Sequence, residues 1–88
     1  MAYFVRITVV KKLHTADPPK EECGQFEIGQ QFIVDKDRPW DMPEGFCGWA
    51  WADIQKLVYG MARGSNGIKR TCCTDGWRPV FFDLEAFE

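Results

Sequence analysis

The sequence predicts an α+β fold: a small, twisted, mostly antiparallel sheet of about five strands, partly barrel-like, packed on one α-helix over about 47–62. Three observations carry that expectation. Residues 3–12 alternate in the manner of a half-buried strand, the stretch 47–61 changes to a helical period, and Asp75-Gly76 divides two strand-like runs.

In the first strand Val5, Ile7 and Val9 fall on one face and Arg6 and Thr8 on the other. Asp17-Pro18-Pro19 and the charged residues that follow then read as a loop. Phe26-Glu27-Ile28 reads as a short strand, Gly29 as a turn, and Gln31-Phe32-Ile33-Val34 as a second strand. Two prolines, two aspartates and a glycine make 36–45 another loop. Cys47, Ala50, Trp51, Ile54, Leu57, Val58 and Met61 follow the spacing of one helix face, which leaves Trp49, Asp53, Gln55 and Lys56 off it. Gly60 weakens the helix end and Gly64 stops it.

The last hairpin makes its own prediction. With Asp75-Gly76 as a type I′ turn, Cys73 faces Arg78, Cys72 faces Pro79 and Thr71 faces Val80. Val80, Phe82 and Leu84 form the core face, so Cys73 points inward and Cys72 does not. Pro79 suggests that one side of its strand is an edge.

The chain has 88 residues, enough for one domain over 1–88, and its net charge is −2. Hydrophobic residues at 45% against 27% charged exclude a disordered chain. A domain this small has a thin core, so a homo-oligomer is expected. No basic stripe tracks phosphates, which excludes nucleic acid as the expected partner. No apolar run approaches the roughly 20 residues of a spanning helix, so no membrane partner is expected. The opening Met1-Ala-Tyr-Phe-Val-Arg6 lacks a secretory signal pattern, and a cytoplasmic location with reduced thiols is the expectation.

Four cysteines, at 23, 47, 72 and 73, invite a metal reading. They lack the Cys-x2–4-Cys knuckle of structural zinc sites, and vicinal Cys72 and Cys73 send their sulfurs to opposite strand faces. Cys23, Cys47 and Cys73 remain the candidate ligands if a metal ion is a cofactor. The bland alternative is that Cys47 and Cys73 are small buried apolar residues. The sharper one starts from Cys47 at the helix start, where unpaired N–H groups and the helix dipole favour a thiolate. Cys47 is therefore the candidate catalytic residue, and it shares a pocket with Cys73 if the hairpin points that thiol inward. Trp49, Trp51, Asp75 and Arg78 would surround that pocket. Trp51 also belongs to the core stripe, whereas Trp49 needs a pocket wall, a subunit interface or loop packing to explain it. Asp53 suits the helix dipole, Asp75 and Arg78 suit an ion pair, and His14, the one imidazole, suits a solvated loop.

Two stretches, Gly45-Phe46-Cys47-Gly48-Trp49-Ala50-Trp51-Ala52-Asp53-Ile54 and Cys73-Thr74-Asp75-Gly76-Trp77-Arg78-Pro79-Val80-x-Phe82, occur with the earlier Cys23-x-x-Phe26-x-x-Gly29-x-x-Phe32. Together they resemble a family of short, uncharacterised bacterial and archaeal proteins of about this length, common in anaerobes. The resemblance spans nearly the whole chain and implies no activity. It directs attention to Cys23, Cys47, Cys73, Asp75, Gly76, Arg78 and Pro79, and leaves Cys72 and His14 outside its pattern. Three functions stay open. The first is a small binding module holding a small-molecule ligand or metal ion near Cys47, Cys73, Trp49, Asp75 and Arg78. The second is a thiol-dependent enzyme using Cys47, and the third a structural subunit of a larger complex.

Overall fold

The computed structural model describes residues 2–13, 24–64, 67–74 and 78–88. Alternation makes the first strand as expected. β1 (Phe4–Lys12) buries Val5, Ile7 and Val9 completely, and β2 (Gln31–Val34) buries Phe32 and Val34 beside it. The helix α1 (Gly48–Ala62) follows, then β3 (Ile68–Cys72) and β4 (Val80–Phe87). The strands form an antiparallel sheet in the order β2-β1-β4-β3. The fold is α+β, one helix on one face of an open sheet.

Two parts of the sequence expectation are corrected. The described residues hold four strands, and the segment 26–28 is not one of them. It is too short to build a ladder before the chain turns at Gly29, whose φ of +90° suits glycine. Gly29 N–H donates to the Val9 carbonyl, Val9 N–H donates to the Gln30 carbonyl, and the Phe26 carbonyl is taken by Lys12 Nζ at 2.7 Å. The sheet is also not barrel-like. β2 and β3 lie at opposite edges, so no pairing closes it.

The hairpin register is corrected too. Cys72 pairs with Phe81 and Thr71 with Phe82, two residues away from the tight-turn alignment. Proline has no N–H to give a ladder, and the observed register leaves Pro79 outside the β3–β4 pairing, with Val80 first in its strand. A shift of two preserves which face each side chain takes. Cys73 is therefore buried, while Cys72 is half-buried on the opposite face. The Asp75-Gly76 turn itself lies outside the described residues. Nor is β4 an edge strand; it lies between β1 and β3.

The helix starts one residue later than the periodicity predicts, with Cys47 extended at the N-cap position (φ −84°, ψ 127°). Ala50, Trp51, Ile54, Val58 and Met61 are buried, and Leu57 and Cys47 pack against them half-buried. Gly64, at φ +121°, ends the turn after Arg63. Tyr3 N–H donates to the Ala62 carbonyl at 2.8 Å, which fixes the helix C-terminus near the start of β1. The helix N-terminus thus lies at the other end of the sheet, where β1 and β3 finish and β4 begins.

The core under the helix is largely aromatic. Phe46 meets Phe26, Phe32, Phe82 and Trp51 at centroid distances of 4.9–6.0 Å, two of the four edge-to-face. Phe26 adds edge-to-face contacts to Phe32 at 5.9 Å and Phe82 at 5.2 Å. These are favoured ring geometries, worth roughly 0.5–1.5 kcal/mol per pair beyond area burial. Among the described residues no helix is long and apolar enough to cross a membrane.

Candidate functional site

Beside the aromatic cluster the packing opens. A cavity of about 160 Å³ lies between the helix N-terminus, the end of β3 and the start of β4. Gln25, Phe26, Cys47, Trp49, Ala50, Cys73, Arg78 and Val80 line it. Position at the helix start, rather than a shared phase, brings Cys47, Trp49 and Ala50 to this corner. Strand register brings Cys73 and Val80.

Cys73 occupies the point where the β3–β4 ladder ends. Its N–H donates to the Val80 carbonyl at 3.1 Å, and Val80 N–H donates to the Cys73 sulfur at 3.4 Å. The thiol stands where a ladder carbonyl would accept, so the sulfur is held in the cavity wall by the sheet itself. Cys47 is held differently. Its carbonyl accepts from Trp51 N–H at 2.9 Å, but its side chain makes no capping hydrogen bond. The sulfur is half-buried and free.

A small network ties the helix to the end of β3. Thr74 N–H donates to Asp53 Oδ2 at 2.7 Å, and Thr74 Oγ1 lies 3.0 Å from both Asp53 oxygens. Trp49 Nε1 donates to Thr74 Oγ1 at 3.3 Å. Trp49 and Asp53 are one helical turn apart, so both reach the same threonine. Trp49 as a residue stays 67% exposed and forms an outer wall of the cavity.

A bulge shapes the opposite wall. The β1–β4 register slips by one between Val9 and Lys11, which puts Lys12 opposite buried Val80. Its ammonium then caps the carbonyl of Phe26, a lining residue. Leu13 N–H continues the pairing to the Pro79 carbonyl at 3.0 Å. Arg78, the residue before that proline, reaches the cavity and carries the positive charge of an otherwise uncharged described lining.

Of the residues singled out in the sequence, Cys47, Cys73, Trp49 and Arg78 come together here. Cys23, Asp75 and His14 lie outside the described residues, so the predicted Asp75–Arg78 pair does too. Trp51 does not line the cavity and is spent on the core against Phe46. Asp53 is not a dipole partner; it stands beyond the first turn and serves Thr74. Among the described residues no three His, Cys, Asp or Glu side chains converge as metal ligands. Sequence reasoning missed Gln25, Phe26, Ala50 and Val80 in the lining, and the Thr74 hub. The Trp49–Asp53 spacing was a usable signal for that hub, whereas nothing in the sequence pointed to Thr74 as the partner.

Comparison with protein families, with curated proteins and with solved structures finds no match to this chain.

Proposed function

We propose that the protein is a small binding module whose ligand occupies the cavity walled by Cys47, Cys73, Trp49 and Arg78. One observation carries the reading: side chains from four separate stretches of chain leave a space where a neighbouring aromatic cluster packs shut. Voids above the size of a water molecule are few in a domain, and a cavity of about 150 Å³ holds one benzene-sized molecule. The volume here, about 160 Å³, fits a ligand of one ring or a short chain. Phe26, Ala50, Val80 and the indole of Trp49 suit its apolar body, and Arg78 suits an acidic group. Cys47, Cys73 and Arg78 are also among the positions that carry the family resemblance, and we propose that the resemblance reflects a shared pocket.

Benzoate is the probe. A proton–nitrogen correlation titration should shift the amides of Cys47, Ala50, Cys73 and Val80 and the indole of Trp49, with benzyl alcohol shifting them less. Shifts scattered over the sheet, or none at millimolar benzoate, argue against the pocket. A metal ion as ligand would require Cys23 as a third sulfur, and less than about one equivalent of bound metal after anaerobic purification rules against a tight site.

A second reading, a thiol-dependent enzyme, draws on the free Cys47 sulfur at a helix N-terminus. No described His, Asp or Glu lines the cavity to serve as its base. Iodoacetamide that modifies Cys47 far faster than Cys72 favours this reading, and equally slow labelling favours the binding module.

A further inference from the structure

The face of the sheet opposite the helix has no described element over it, and its side chains form cross-strand rows. One row runs Ile33, Arg6, Glu85, Ile68 across β2, β1, β4 and β3. The two inner residues are an ion pair, Arg6 NH1 to Glu85 Oε1 at 2.6 Å, and the outer isoleucines are 47% and 64% exposed. On one side of this row Phe4 stacks on Phe87 at 5.5 Å. On the other side Gln31, Thr8, Asp83 and Arg70 form the next row, closed by the Arg70–Asp83 pair.

We infer that this face is a two-fold dimer interface, and that its occupant is the same face of a second copy of the chain. The face complements itself in charge and polarity. A two-fold axis running along the strands, between two facing sheets, lays β1 of one copy over β4 of the other and β2 over β3. Ile33 then meets the other copy's Ile68, Arg6 meets Glu85, and Phe4 meets Phe87. In the next row Gln31 meets Arg70 and Thr8 meets Asp83. Every contact pairs apolar with apolar, opposite charges, or a charge with a hydrogen-bonding group. The row is self-complementary because its acid and base sit symmetrically about the midline, which an arbitrary amphipathic sheet does not provide. Aligned sheet packing at roughly 30° accommodates the twist of both sheets.

Two charge pairs brought together form a four-charge ring, in which a second partner for each charge offsets the water it loses, so the ring sets register more than it adds affinity. Four strands about 4.8 Å apart over about five residues give a face of roughly 19 by 16 Å. Two such faces cover about 600 Å² in projection, below the standard size of a stable interface, so a weak dimer with a dissociation constant of about 100 µM is the expectation. This inference stands apart from the cavity, which lies on the helix side of the sheet.

The test is light scattering on the full chain at about 1 mM, where such a dimer is populated. The wild type should be a dimer, and a monomer overturns the inference. Arg6→Glu and Glu85→Arg each place like charges across the two-fold, so each variant alone should be monomeric. Mixed one to one, they should form a heterodimer, because the carboxylates of the first variant then meet the guanidinium groups of the second at both positions. A mixture that stays monomeric, or variants that remain dimers alone, overturns it. Because both changes break the ion pair within the chain, folding is checked by circular dichroism. Ile68→Lys, at an exposed edge position, provides the independent arm: at least tenfold weaker dimerisation is expected, and unchanged dimerisation overturns the inference.

Discussion

The two halves of the helix–sheet interface are built from similar residues and end in opposite states. Around Phe46 the rings of Phe26, Phe32, Phe82 and Trp51 fill the space at 4.9–6.0 Å from its centroid. A few ångströms away, sharing Phe26, the side chains of Cys47, Ala50, Cys73 and Val80 leave about 160 Å³ open. The large rings contribute most of the burial and dispersion, while Ala50 and Cys73, though buried themselves, have little side chain with which to contribute either. Stability should therefore depend on the aromatic side and respond little to changes at Cys47 and Ala50.

Substitutions on each side break or sharpen that contrast. The largest effect should come from Phe82→Ala, which empties a fully buried position between Phe26 and Phe46. A loss of about 3–5 kcal/mol is expected by urea unfolding, enough to unfold a domain of this size. A loss under about 1 kcal/mol would mean the cluster is not the main core. Next comes Asp53→Ala, which takes the acceptor from Thr74 N–H and Oγ1 and frees the end of β3. It should cost about 1–2 kcal/mol, with faster amide exchange at Cys73 and Thr74 and weaker benzoate binding as the combined readout. Ala50→Leu sharpens the comparison from the other side. Filling the cavity with three more carbons should change stability by less than about 1.5 kcal/mol while abolishing benzoate shifts.

The smallest effect belongs to the sheet surface. Arg70 holds the Asp83 carboxyl below its ordinary value, chiefly through their side-chain hydrogen bonds at 2.6 and 3.0 Å. A depressed folded value means the pair stabilises the fold fully above the unfolded carboxylate value, and the contribution fades as pH falls through the folded one. Asp83→Asn should therefore be slightly destabilised at neutral pH, and the gap from wild type should close on acidification. Urea midpoints measured from neutral to strongly acidic pH check it, and the exposure of Arg70 keeps the gap small.

The regular parts of this architecture were legible because periodicity reports burial directly. Val5, Ile7 and Val9 alternate over a long strand, and the Ala50–Met61 stripe repeats over about three turns, so each pattern is oversampled. Phe26-Glu27-Ile28 is three residues long, and an alternating triplet does not distinguish a strand from a turn that drops one ring into the core. The hairpin shows a subtler limit. Asp75-Gly76 suggested a tight turn, but the missing N–H of Pro79 decided the ladder, and the inward face of Cys73 survived only because the slip was even. The candidate site was half legible. The predicted helix start placed Cys47 and Trp49 and strand parity placed Cys73, whereas Thr74–Asp53 and the bulge-directed Lys12 are tertiary contacts with no periodic trace. Trp51 read as both core and pocket, and the aromatic cluster claimed it.

Protection mapping shows whether the space between Cys47 and Cys73 receives a ligand. Iodoacetamide labelling would be followed by peptide mass spectrometry with and without benzoate, using Cys72 on the far face of β3 as the internal reference. With the cavity occupied, benzoate should slow labelling of Cys47 severalfold and leave Cys72 unchanged. Equal rates at Cys47 with and without benzoate, or equal slowing at both thiols, would contradict a ligand in this space.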